Sequence, residues 1–213
     1  MNNKKKIALF GGLGKLGSAI ASKLKNYYDF EIFDTKNGKT TCNFADFDLV
    51  IDASHHTNTN ILARACAKAK TPLLVCATGH TKQELSQIEN CKTQTPIEIC
   101  PNLSFGISAI NNWLNSTTFE HCNVSIFEQH HAGKKDFPSG TAIMLENTCK
   151  AFANTVEVVS SRFGDEIGTH VVTLDMPTEQ IIICHKAKNR DAFAAGAKYK
   201  IEQIIREHNS HEN

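Results

Sequence analysis

The stretch EQHHAGKKDFPSGTA, residues 128–142, sets two histidines, two lysines and an aspartate ahead of Pro-Ser-Gly-Thr. An imidazole titrates near neutral pH, so His130 or His131 can hand over a proton there. Lys134 adds a fixed positive charge or a second acid. SIFEQHH alternates like a strand end, so the two histidines project to opposite sides or sit where the strand gives way to a loop. Ser139 reads as the N-cap of a helix whose apolar face is Ala142, Leu145, Cys149 and Phe152. The free N–H groups of Gly140 and Thr141 would point out of a positive helix end, and the bare Gly140 lets a ligand come close. That is a seat for a carboxylate. Two other readings stay open: a solvated basic loop, and metal binding by adjacent histidines, for which no third ligand stands at a recognisable spacing. His55-His56 reads as helix capping or loop, and His208 and His211 as part of the tail.

A second constellation lies near the start. FGGLGKLGSAI (10–20) follows an apolar run and opens a helical pattern, the context that a dinucleotide-binding turn requires. Gly11 serves the tight turn, Gly14 the approach of backbone to a pyrophosphate, and Gly17 close packing of helix on strand. The anion would rest on backbone N–H groups at the helix N-terminus. Asp34 stands 20 residues after Gly14, where a carboxylate can accept both ribose hydroxyls of NAD(H). Lys15 and Lys36 nearby would also tolerate a 2′-phosphate. The plainer readings are a tight strand-to-helix turn with no ligand and a solvated aspartate.

The elements that must position these groups follow from periodicity. KIALF (6–10), FEIFD (30–34), DLVID (48–52), PLLVC (72–76) and PIEIC (96–100) predict strands, with helices over 14–26, 57–70 and 81–92. Strands alternating with helices give an α/β class with an N-terminal Rossmann-type, doubly wound parallel sheet over 1–103. Beyond residue 103 the pattern becomes that of a second, α+β domain over 104–190. It holds a helix at 105–115, a strand in HCNVSIFEQHH, the helix opened at Ser139, and strands in TVEVVSSR, GTHVVTLDM and EQIIICHKA. The last two flank a turn at Pro177-Thr178 and read as an antiparallel hairpin. A final amphipathic helix, with Phe193, Ala197, Ile201 and Ile204 on one face, lies in the segment 191–213 that joins the first domain.

Composition narrows the partners. With 23 Lys and Arg against 22 Asp and Glu, the 213-residue chain has neither the basic field that draws nucleic acid nor an acidic tail, which leaves a small molecule. The eight cysteines include no C-x-x-C pair and read as reduced thiols in a cytoplasmic protein. MNNKKKIALFGG imitates a secretory signal, but the run Ile7 to Phe10 is too short, and no other stretch approaches a membrane span.

At its histidine loop the chain resembles the 4-hydroxy-tetrahydrodipicolinate reductase (dihydrodipicolinate reductase) family. The family signature E-x-H-H-x-x-K-x-D-x-P-S-G-T-A is present in full from Glu128 to Ala142. GGLGKLG, VIDASH (50–55), CATGHT (76–81), CPNLSFGI (100–107), RFGDEIGTHVV (162–172) and HKAKNRDAFAAGA (185–197) follow the family order along nearly the whole chain. The resemblance implies His130 as proton donor and Lys134 as second catalytic acid, with His131, Gly140 and Thr141 binding substrate. It implies contacts to NADH or NADPH from Gly11, Gly12, Leu13, Gly14, Lys15, Leu16 and Asp34, and further on from Cys76, Ala77, Thr78, Cys100, Pro101, Asn102 and Leu103. No metal is implied. The family usually carries Gly-Thr-Thr-Gly where this chain has Cys76-Ala77-Thr78-Gly79, so contacts there must be mostly backbone or must differ. The implied activity is NAD(P)H-dependent reduction of hydroxy-tetrahydrodipicolinate to tetrahydrodipicolinate, in lysine and diaminopimelate biosynthesis. The implied assembly is a homotetramer joined through the sheet of the second domain, which serves substrate binding and oligomerisation. An inactive dinucleotide-binding regulatory homologue and a two-domain amino-acid dehydrogenase are the alternatives, and the intact His-His-x-x-Lys loop disfavours both.

Overall fold

The apolar runs of the first hundred residues form five short strands: β1 (Lys6–Phe10), β2 (Asp29–Phe33), β3 (Leu49–Asp52), β4 (Leu73–Val75) and β5 (Ile97–Ile99). All neighbours pair in parallel, in the order β2-β1-β3-β4-β5. This computed structural model describes residues 4–117, 119 and 121–211. The central strands β3 and β4 are buried at every position, as a parallel sheet covered on both faces requires. Helix α2 (His56–Ala69) buries Thr59, Leu62, Ala63, Cys66 and Ala67, a three-four spacing that lays one stripe on the sheet. Burying a side chain such as Leu62 contributes about 1.5–3 kcal/mol. With α3 (Lys82–Cys91), α2 covers one face, where Ile88 and Cys91 join its stripe. The other face holds Ile20 and Leu24 of α1 (Lys15–Leu24) together with Ala197, Ile201 and Ile204. The doubly wound sheet expected from the sequence is therefore the observed one.

These residues, up to Leu103 and again from Phe193, make one unit, and Ser104–Ala192 make the other. In the second, β6 (Asn123–His130), β7 (Thr155–Arg162), β8 (Thr169–Asp175) and β9 (Gln180–Lys186) form a mixed sheet ordered β7-β6-β8-β9. β6 and β7 run parallel, linked through α5 (Gly140–Cys149), while β8 and β9 form the expected antiparallel hairpin, closed by the Met176 N–H on Glu179 O at 3.0 Å. β6 alternates strictly: Val124, Ile126, Glu128 and His130 are buried, and Asn123, Ser125 and Phe127 are exposed. The buried face packs on Leu114 of α4 (Phe105–Ser116) and on Leu145 and Cys149 of α5. The last helix, α6, runs Asp191–His211.

Candidate active site

The glycine loop and Asp34 come together at the carboxyl ends of β1 and β2. Gly11 turns the chain with φ 73°, and a Cβ there would fall 2.5 Å from Ala53 O. A Cβ at Gly17 would fall 2.4 Å from Gly11 O, so turn and helix touch backbone to backbone. α1 starts after Gly14 with no side-chain cap and no acidic residue in its first turn. Its first N–H groups and positive dipole end suit an anion. Asp34 was expected to end the second strand, but β2 stops at Phe33, and Asp34 instead caps a 3-10 turn over Thr35–Asn37. The Leu13 N–H donates to its Oδ2 at 3.2 Å and the Lys36 N–H to its Oδ1 at 3.0 Å. Each oxygen keeps a lone pair for a further donor, such as a ribose hydroxyl. The backbone cradle, bare helix end and adjacent carboxylate fit a dinucleotide.

Cys76, Ala77, Cys100 and Leu103 are buried just past β4 and β5, while Thr78, Pro101 and Asn102 are half-buried. The Cys76 and Ala77 N–H groups both donate to Asp52 O, at 2.8 and 3.1 Å. Burial pushes the Cys76 thiol well above its usual range, which makes it an inert packing group.

In the second unit the buried face of β6 ends in Glu128 and His130, and the chain then turns through His131 to Pro138, where the Phe137–Pro138 bond is cis, into α5. Ser139 caps α5 as expected, accepting the Ala142 N–H at 3.2 Å. Ala142, Leu145 and Cys149 are its buried face, and Phe152 packs on the same core beyond the helix end. The Gly140 N–H is not free as expected: it points at Asp136 Oδ2, 3.4 Å away, because a carboxylate of the same loop lies at the positive helix end. Thr141 is buried. Lys134 Nζ pairs with Asp136 Oδ1 at 2.8 Å. Burial alone would raise the Asp136 pKa, but the hydrogen bond and charge of Lys134 outweigh it and hold the carboxyl below its usual range.

His130 Nδ1 lies 2.5 Å from Glu128 Oε2, and Arg162 of β7 grips both Glu128 oxygens at 3.0 and 2.9 Å. Burial opposes ionisation of Glu128, yet His130, Arg162 and the Ser139 N–H hold its pKa well below the carboxylate range. The ring of His170 meets that of His130 edge-on at 5.1 Å, and burial pushes the His170 pKa down to about 3. Neither ring nitrogen of His170 has a hydrogen-bond partner among the described residues. Glu128, His130 and His170 bring ligand atoms within 4.8 Å of one another, but the guanidinium already neutralises that carboxylate, which disfavours a metal cation.

The structure thus gathers His130, His131, Lys134, Gly140 and Thr141 onto one strand end, loop and helix start. Sequence reasoning gave no role to Glu128, Arg162 or Phe137. The period of β6 put Glu128 on the face of Ile126 and His130, a readable signal; its pairing with Arg162 across parallel strands was not readable. Phe137 lies against the Arg162 guanidinium, 4.9 Å from ring centre to carbon. His55 caps α2 by accepting the Thr57 N–H, as expected.

Two family descriptions match in tandem: "Dihydrodipicolinate reductase, N-terminus" over residues 5–103 and "Dihydrodipicolinate reductase, C-terminus" over 107–212. The 4-hydroxy-tetrahydrodipicolinate reductase of Clostridium tetani is 31% identical, over 90% of this chain and 88% of its own. That of Helicobacter hepaticus is 26% identical, over 96% and 95%. A dipicolinate-bound dihydrodipicolinate reductase from Paenisporosarcina sp. TG-14 superposes with a TM-score of 0.74 at 16% identity, covering 96% of each chain. Aspartate dehydrogenase from Thermotoga maritima, at 10% identity, reaches 0.65 over 95% and 97%, so the fold alone does not select a reaction. The matches to both halves, together with the unbroken loop from Glu128 to Ala142, do select one lineage: the chain belongs to the dihydrodipicolinate reductase family.

Proposed function

We propose that this protein is a 4-hydroxy-tetrahydrodipicolinate reductase that draws on NADH or NADPH. The observation that carries the reading is the 128–142 loop, where His130 ends a strand, Lys134 follows on the loop and the N-terminus of α5 comes next. The dinucleotide supplies a hydride. The Gly11–Leu16 turn holds its phosphates and Asp34 its ribose. The N-terminus of α5, at Gly140 and Thr141, and His131 bind the substrate's carboxylates and fix the ring. Loss of the ring hydroxyl as water leaves a carbon conjugated with the C=N bond; as that carbon takes the hydride, negative charge moves toward the ring nitrogen, where Lys134 neutralises it and His130 delivers a proton. For this, both Lys134 and the Gly140 N–H must exchange Asp136 for the substrate.

The second sheet supports a homotetramer. Its open face carries Phe127, Val159 and Ile182, exposed by 37%, 44% and 63%, with Phe127 in register between Val159 and Val171. Such an apolar patch suits contact with another copy. All eight cysteines are free, which suits the reducing cytoplasm, and among the described residues no helix is long and apolar enough to cross a membrane. The activity is tested by NAD(P)H oxidation on addition of freshly generated hydroxy-tetrahydrodipicolinate, and the assembly by sedimentation.

A further inference from the structure

Glu128 is a fully buried carboxylate that the reaction above leaves without a task. Its Oε2 lies 2.5 Å from His130 Nδ1 and 3.0 Å from Arg162 Nη1. Its Oε1 accepts from Arg162 Nη2 at 2.9 Å and from the Ser139 N–H at 3.1 Å. Ser139 is the N-cap of α5, and Arg162 also donates to Asp136 O, so this one carboxylate touches the imidazole, the helix start and, through Arg162, the loop that carries Lys134. An ion pair serving only to join β6 to β7 would need neither the imidazole nor the helix cap.

We infer that Glu128 is a positioning residue: it holds His130 with a hydrogen on Nδ1, makes Nε2 the atom that delivers the proton, and ties that orientation to the start of α5. The inference rests on the reading of His130 as proton donor. An ionised carboxylate can only accept, so the hydrogen between the two groups belongs to Nδ1. Nε2 is then the nitrogen left for substrate. The backbone beside it is bare: a Cβ on Gly168 would come within 3.0 Å of Nε2. The titratable and charged groups around the ring are Glu128 on its own strand, Arg162 from β7, His170 from β8 with His185 of β9 behind it, and Lys134 with Asp136 on the following loop. His170 stays neutral, so β8 adds no positive charge against an imidazolium. In the step itself the Nε2–H bond breaks and a bond from that proton to the substrate forms. His130 ends neutral with Nδ1–H still on Glu128, and Glu128 takes up no proton.

The test combines two variants with one spectrum of the unmodified protein. Glu128→Gln keeps the side-chain shape and removes the charge. We expect kcat to fall about 10- to 100-fold, with the dissociation constant for NADH unchanged. Glu128→Asp, with charge but shorter reach, should restore part of the rate. In nitrogen-15 spectra of the wild type at alkaline pH, the His130 signal, assigned by its loss in His130→Asn, should report hydrogen on Nδ1. A folded Glu128→Gln enzyme with wild-type kcat overturns the inference, as does a wild-type ring with hydrogen on Nε2; the spectrum decides even if the variant does not fold. Retained turnover in His130→Asn would instead overturn the assignment of His130 itself, and this inference with it.

Discussion

The two sheets of this chain host function in opposite ways. In the five-stranded sheet the central strands β3 and β4 are apolar but for Asp52 at the end of β3, and the groups fit for binding lie outside the sheet, on the turn after β1 and the residue after β2. On the proposed function, backbone N–H groups and one carboxylate do the recognising there. In the four-stranded sheet the strand itself carries ionisable groups: the buried face of β6 passes from Val124 and Ile126 directly to Glu128 and His130. The carboxylate that the first sheet buries, Asp52 at the end of β3, is taken up by the hydroxyls of Ser54 and Thr59, whereas Glu128 on β6 faces an arginine and an imidazole. On the proposed function, one unit binds by shape and dipole, and the other reacts through placed charges.

If that division is real, disturbing the charges should change rate, and disturbing the glycine turn should change folding and cofactor affinity. Lys134→Ala should lower kcat roughly a hundredfold or more, the scale of an acid-base group, with NADH affinity unchanged; equal losses in both would break the comparison. Gly11→Ala forces a side chain into a positive-φ turn against Ala53 O, and should cost about 1–3 kcal/mol of stability in chemical denaturation and weaken NADH binding, while leaving the pH profile of any residual turnover in place.

Acid should expose the second unit's buried histidine. An unfolded His170 takes up a proton as pH falls through 6.5, the folded one only near about 3. Between those values the unfolded state holds the extra proton, so stability falls with falling pH, by up to ~1.4 kcal/mol per unit. Denaturation followed through Trp113, the chain's one tryptophan, should show this slope, and His170→Gln should reduce it. The smallest expected effect concerns the ribose seat. Asp34 beside the turn should let NADH serve at least as well as NADPH by kcat/KM, and a strong preference of the wild type for NADPH would count against that placement.

Much of this was legible because local rules and fold agreed. The five parallel strands, the β8–β9 hairpin and the Ser139 cap all rest on signals contained within a few residues. What escaped depends on distant partners. The 3-10 turn at Asp34 draws on a reciprocal cap with Asn37, the Gly140 N–H is taken by Asp136, and Glu128 meets Arg162 only because β6 and β7 pair in parallel register. The Cys76-Ala77 departure was visible as letters, but only the fold shows their N–H groups committed to Asp52 O.

The account's central claim is that these placed charges reduce a cyclic imine dicarboxylate. The direct measurement is NADH oxidation by the wild-type protein on addition of freshly generated hydroxy-tetrahydrodipicolinate, run beside a keto acid with ammonia. Rapid oxidation with the cyclic substrate alone is the predicted result; oxidation with the keto acid instead, or with neither, would contradict it.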